Sequence, residues 1–367
     1  LNPAERIAAR RLERRRRAVR RRMLAAGALL VAAALLAALL GAAGGGSDSR
    51  RDMVSSGAGA RTRAHAGGAA PGAGSVLAGF AARRLAAVLP SPLQDAAAVA
   101  LPDGTLVLLG GLDANDTSTA GVLVLAGEHV FPRGRLPLPQ HDAQGALLEG
   151  DAYVFGGGQV SSYDHVLRFD PSTGVVSQAG TLPRAASDVA VAAIAGTAYV
   201  VGGYDGAHAL DTILAWRPGA PARTVARLPL SLRYAAVAAV GGQLVIVGGS
   251  HGEAAEREIL RFDPASGRVA QIGRLPSPLT HAAAVALAGR VYLLGGRGSA
   301  PSSQTDAILA IDPTTGRAVR VGRLPLALSD AAATVVGGRV VVAGGEGVSG
   351  TLSSIYSLTP VAARSAR

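Results

Sequence analysis

Two dipeptides recur along most of this chain at a nearly fixed step, and that repeat constrains the fold more than any other feature. Leu-Pro pairs begin at Leu89, Leu136, Leu182, Leu228, Leu275 and Leu324, and Gly-Gly pairs at Gly110, Gly156, Gly202, Gly248, Gly295 and Gly344. Both series step by 46 to 49 residues. A period of this length means one supersecondary unit copied along the chain, with each copy burying its apolar face against its neighbours.

Each copy has the same internal order. After Leu-Pro come a short link, a polar residue and a run of small apolar residues such as Ala96–Leu101, Ala282–Leu287 or Ala331–Val336. A tight turn leads to a second run that ends at Gly-Gly. A variable loop and a third run follow, and in three copies an Asp-Pro turn ends on Gly174, Gly267 or Gly316. Proline fixes φ at the second turn position, and the glycine accepts the positive φ that ends the turn. A fourth run closes the copy. Short apolar runs bounded by Gly and Pro, without helical periodicity, are strands. The expected fold is therefore all-β, a six-bladed propeller over residues 80–360 with four strands per blade. The Ala-rich first strand suits the crowded centre, and the Gly pair suits a close passage of backbone. The last copy lacks a fourth strand, whereas residues 81–88 form one without a blade. They are expected to complete the last sheet and close the ring.

The succession of Leu-Pro, polar residue, small apolar strand, Gly-Gly and Asp-Pro resembles the kelch repeat. The usual Trp after the turn is replaced by Val176, Val269 and Val319, so the resemblance is to a divergent, bacterial-type member. It implies roles that run from protein-binding platforms to sugar-active enzymes, a sialic-acid mutarotase among them. Copper-radical oxidases of this architecture need a Cys crosslinked to Tyr; the chain has no Cys, which excludes that chemistry together with thiol catalysis and Cys-ligated metals.

The strand order places the variable loops and the Leu-Pro links on one face. Six residues after each Leu of the Leu-Pro pairs stand Asp95, Asp142, Asp188, Tyr234, His281 and Asp330. These six are expected to ring the mouth of the central channel. One reading has each side chain accept backbone N–H bonds and tie adjacent blades. The other makes the ring a site for a polyol or a divalent cation, with Arg233 facing an anionic ligand. Outer-loop candidates are Asp113, Asn115 and Asp116; Tyr163, Asp164 and His165; Tyr204, Asp205 and His208; His251 and Glu253; and Arg297. His208 with Asp211, or His251 with Glu253, matches no specific metal motif, so no metal and no cofactor is assigned. No nucleophile-elbow, phosphate-loop or dinucleotide fingerprint occurs in a suitable context.

The remaining quarter is different. Residues 1–22 hold ten Arg and two Glu, whereas residues 86–367 hold twenty Arg and twenty-one acids. The net charge of +11 thus sits at the N-terminal end, and nucleic-acid binding by the repeat domain is not expected. Residues 23–43 are uncharged and long enough to span a bilayer as a helix. With Arg on one flank they are expected to hold a basic segment, residues 1–22, in the cytoplasm and the repeats outside. This run is longer than a signal-peptide core, which favours an anchor over a cleaved leader. Residues 44–79, rich in Gly, Ala and Ser, are expected to be a flexible linker. The functional expectation is a membrane-anchored extracytoplasmic module that binds a protein or a cell-envelope glycan. The alternative is a carbohydrate-active enzyme, a mutarotase or lyase, working at the channel mouth with His281 paired to Asp330 or Tyr234.

Overall fold

The computed structural model describes residues 77–362. The basic segment, the proposed span at 23–43 and nearly all of the linker lie outside the described residues. Among the described residues no helix is long and apolar enough to cross a membrane.

The chain is all-β and propeller-like. Strands pair antiparallel; three sheets have four strands each, and larger seven- and six-stranded sheets arise where long strands run from one set of four into the next. The set Ala190–Ile194, Thr197–Val201, Thr212–Trp216 and Arg223–Arg227 is representative. So is Ala236–Val240, Gln243–Val247, Glu258–Asp263 and Arg268–Arg274. The long strand His129–Leu148 ends one set and opens the next, pairing with Thr119–Ala126 along its first part and Asp151–Gly158 along its second. The Asp-Pro turns form as expected. Asp170 accepts the Gly174 N–H on its carbonyl at 2.8 Å and the Ser172 N–H on its carboxylate at 2.8 Å.

Closure follows the expected route. The strand Leu77–Val88 pairs antiparallel with Ser354–Ala362 and forms the outer edge of a sheet whose other strands are C-terminal. Its Leu77 is buried with Tyr292, Leu324 and Leu358 and so belongs to the core. Phe80 meets the Tyr292 ring edge-on at 4.9 Å.

The core is divided among the seams between neighbouring sets. Ala146, Phe155, Val189, Val200 and Trp216 fill one seam. Leu85, Ala87, Leu89, Leu106, Leu108, Ala332, Val341 and Ile355 fill the closing seam, where the two ends of the chain meet. Fully burying one such Leu or Val contributes roughly 1.5–3 kcal/mol. Glycine makes the seams close enough. A Cβ on Gly156 would lie 2.1 Å from the Ala186 carbonyl oxygen of the next set, and one on Gly344 equally close to that of Leu93. The second glycine of each of these pairs then bonds across the seam, Gly157 N–H to Ala186 O at 2.9 Å and Gly345 N–H to Leu93 O at 2.8 Å.

Removing residues 77–89 would strip Leu85, Ala87 and Leu89 from the closing seam and leave its sheet without an edge. The shortened chain is expected to lose its single cooperative thermal transition; melting as sharp and as high as the parent's would count against this account.

Candidate functional site

The six residues expected at the channel mouth are brought together, and their backbones do the tying. All six have left-handed backbone: Asp95 φ 55°, Asp142 φ 55°, Asp188 φ 58°, Tyr234 φ 50°, His281 φ 56° and Asp330 φ 59°. In that conformation each N–H reaches the carbonyl of its counterpart in the preceding set. The bonds run Asp142 to Asp95 at 3.3 Å, Asp188 to Asp142 at 2.9 Å and Tyr234 to Asp188 at 3.1 Å. They continue from His281 to Tyr234 at 3.3 Å, from Asp330 to His281 at 3.0 Å and from Asp95 back to Asp330 at 2.9 Å. The expectation that side chains would accept these N–H groups is corrected: carbonyls accept them. Asp recurs here because its short polar side chain tolerates the left-handed region better than most residues.

Below the ring lies the central channel, with a volume of about 320 Å³ and walls of Ala and Val from the first strands, such as Ala192, Ala238 and Ala284. The side chains at its mouth fall into two arcs. Asp330, Asp95 and Asp142 form one. Burial, then the neighbouring Asp330 and Asp142 carboxylates, holds the Asp95 carboxyl well above its ordinary range. Burial and the Asp188 and Asp330 carboxylates do the same to Asp142. Burial raises Asp330 to about 6, against the opposing bond from the Ser329 hydroxyl.

The other arc is cationic and aromatic. Asp188, with 2% of its side chain exposed, is ion-paired to the Arg233 guanidinium. That guanidinium lies 4.0 Å above the Tyr204 ring and 5.2 Å from the Tyr234 ring. Tyr234 stacks on His281 at 3.7 Å, and its hydroxyl is 3.4 Å from Asp142. Arg297 Nη2 donates to His281 Nε2 at 3.0 Å. A guanidinium only donates, so this nitrogen is unprotonated and the proton is on Nδ1, which faces Thr280 Oγ1 at 3.0 Å. Burial and then the Arg297 and Arg233 charges push the imidazole down to about 2. Asp330 Oδ1 stands 3.9 Å from the same Nε2.

Most outer-loop candidates turn out to shape their own loops. Asp113 accepts the Asn115 and Thr117 N–H groups, and Asp116 supplies a left-handed turn residue. Asp205 accepts N–H groups from His208 and Ala207 and an ion pair from Arg184, which together lower it to about 2. Tyr163 bonds the Pro139 carbonyl, and His165 bonds Gln140 at 2.6 Å. His251 is bonded to Ser231. Of these candidates, Tyr204 lies under the Arg233 guanidinium and Arg297 bonds His281. Among the described residues no group of three or more His, Asp or Glu is placed to hold a metal ion. His141, which the sequence did not single out, stands at the mouth between Ser118 at 2.9 Å and Asp142 at 3.4 Å. Its position one residue before the ring was the available signal.

These features define an all-β, propeller-like protein with a polar channel mouth. No protein-family model matches the sequence, and no curated protein matches it. The solved structure of YjhT is similar, with a TM-score of 0.64 at 15% identity, over 75% of this chain and 98% of that one. At that identity the likeness is one of fold alone.

Two outcomes are expected. A carboxyl whose pKa is raised on folding stabilises the fold below its unfolded value and loses that contribution as pH rises through the folded value. For Asp330 the window runs from 3.8 to about 6, and the loss is on the order of 3 kcal/mol. His281 runs the other way: depressed on folding, its contribution is present above 6.5 and lost as pH falls. The difference between Asp330→Asn and the parent isolates the first effect, since Asn also tolerates left-handed backbone. The variant should melt higher at pH 8 and gain nothing at pH 4; a pH-independent difference would contradict the assignment. Separately, Arg233→Ala leaves the buried Asp188 uncompensated and should cost about 3 kcal/mol. Adding Asp188→Asn should recover most of it in chemical denaturation.

Proposed function

We propose that the chain is a six-bladed propeller of the kelch type, held at a membrane by residues 23–43 with its repeats outside, and that it binds a cell-envelope glycan at the channel mouth. The observation that supports this best is the convergence of polar groups from every repeat, with Arg233 and Tyr204 beside them, on one channel whose walls are otherwise mostly Ala and Val. Sugar recognition needs many hydroxyl partners and a few flat faces in one concave place. The loops around the mouth are tied by their own hydrogen bonds, which suits a preformed binding face. A protein ligand on the same loops is the outcome if no sugar binds.

A second reading, catalysis on a sugar, is favoured by one observation. Asp330, at about 6, is near the value a general acid or base needs, and it stands 3.9 Å from His281. Neutral His281 would then act as an acceptor and could not donate from Nε2.

Thermal unfolding against a panel of envelope oligosaccharides tests both. A ligand bound to the native state raises the midpoint. A rise that is lost in Tyr234→Asn and His281→Asn places binding at the mouth. Turnover of a bound sugar that Asp330→Asn abolishes without loss of binding would select the enzymatic reading. No shift with any sugar, but capture of a protein on the loop face, would replace the glycan.

A further inference from the structure

Arg297 differs from four other arginines of the repeats, and like Arg257, which donates to the Leu275 and Pro276 carbonyls, it has no carboxylate partner among the described residues. Arg184, Arg227, Arg233 and Arg274 each end on a carboxylate. Arg297 does not: among the described residues no carboxylate lies within salt-bridge distance of it. Its guanidinium donates to His281 and, at 3.4 Å, to the Gly298 carbonyl. Five donors in a fixed fork are available to an arginine, so most of this fork is uncommitted. The group is half-buried, where an unpaired charge is more costly than in open water. It is also held in place, because the imidazole it contacts is itself stacked on Tyr234.

The neighbouring arc adds a second property. Arg297 and Asp330 flank one imidazole nitrogen, at 3.0 and 3.9 Å. The charged and titratable groups around that nitrogen are Arg297, Asp330, Arg233 and Tyr234, with Glu346 acting on Asp330 from the adjoining loop. Asp95 and Asp142 continue the arc away from Arg297. With these carboxyls protonated, an anion beside Arg297 meets O–H donors; with them ionised, it meets like charge.

We infer that Arg297 is an oxyanion subsite, that it takes the carboxylate, sulfate or phosphate group of an acidic glycan, and that the anion is bound together with a proton on the Asp330–Asp95–Asp142 arc. This rests on the glycan reading for the body of the ligand but not for its charged group. A guanidinium at this position can make a bidentate contact that the residues at the equivalent positions of the other repeats, Leu112, Gly158, Tyr204, Ser250 and Glu346, cannot. Proton linkage follows from the geometry, since removing protons from the arc places negative charge against the bound anion.

The test is calorimetric titration of the full chain at pH 5.5 and pH 8 with three probes: inorganic phosphate, a glucuronate-ended oligosaccharide and its neutral glucose-ended counterpart. The acidic oligosaccharide should bind about tenfold more tightly than the neutral one at pH 5.5, a charge-assisted gain. It should lose most of that preference at pH 8. Arg297→Gln should remove the preference by weakening the acidic oligosaccharide more than the neutral one, and Asp330→Asn should flatten the pH dependence. An unchanged preference in Arg297→Gln, or one that does not vary with pH in the parent, overturns the inference. If neutral and acidic sugars bind alike, the subsite fails and the glycan reading stands. If phosphate binds through Arg297 with the same pH dependence but no sugar adds affinity, the subsite stands and the glycan reading fails.

Discussion

The structure depends on a closed circle of main-chain hydrogen bonds at its centre. Six residues, one from each repeat, hold left-handed backbone so that each amide can reach the carbonyl before it. That conformation costs a non-glycine residue on the order of 1 kcal/mol or more. A net hydrogen bond returns about as much. Sealing the seams between sheets tips the balance, because the circle sets how near the first strands stand to one another. Their Ala-rich sequence and the glycines that end the second strands are consequences of that spacing.

Because main-chain atoms form the circle, the side chains mounted on it have no common structural duty. They need only tolerate left-handed backbone. This explains how one geometric position can carry a buried ion pair at Asp188, a stacked Tyr234–His281 couple and three carboxyls held above their ordinary range. The mouth is chemically lopsided on a framework that is nearly symmetric. Tyr234 is the member least suited to its backbone, and its stacking on His281 and its place beside Arg233 offset the mismatch.

Much of the fold was legible in the sequence because the repeat exposes itself. The Leu-Pro and Gly-Gly spacings locate the strands, and the orphan strand before the first Leu-Pro finds its sheet. The mouth residues were legible by register alone. Their bonding was not, since left-handed backbone leaves no mark on sequence beyond a taste for Asp, and Asp also makes ordinary turns, as Asp113 and Asp205 do here. The partners that decide chemistry were hidden for another reason. Arg233 with Asp188, and Arg297 with His281, join positions 45 and 16 residues apart. The first pair crosses between neighbouring repeats, and the second joins the open ends of the hairpin formed by Ala283–Leu287 and Arg290–Leu294, where Thr280 bridges Arg297.

The seam between Leu77–Val88 and Ser354–Ala362 also sets an order of events. The strand synthesised early must wait, unpaired and apolar on one face, until nearly the whole repeat array has been made. Non-local pairing of this kind is slow to nucleate. During that interval both the early strand and the incomplete last sheet are open edges. A nascent or stalled chain is therefore the state most exposed to proteases and to pairing with another copy of itself, whereas the finished ring presents no such edge at this seam.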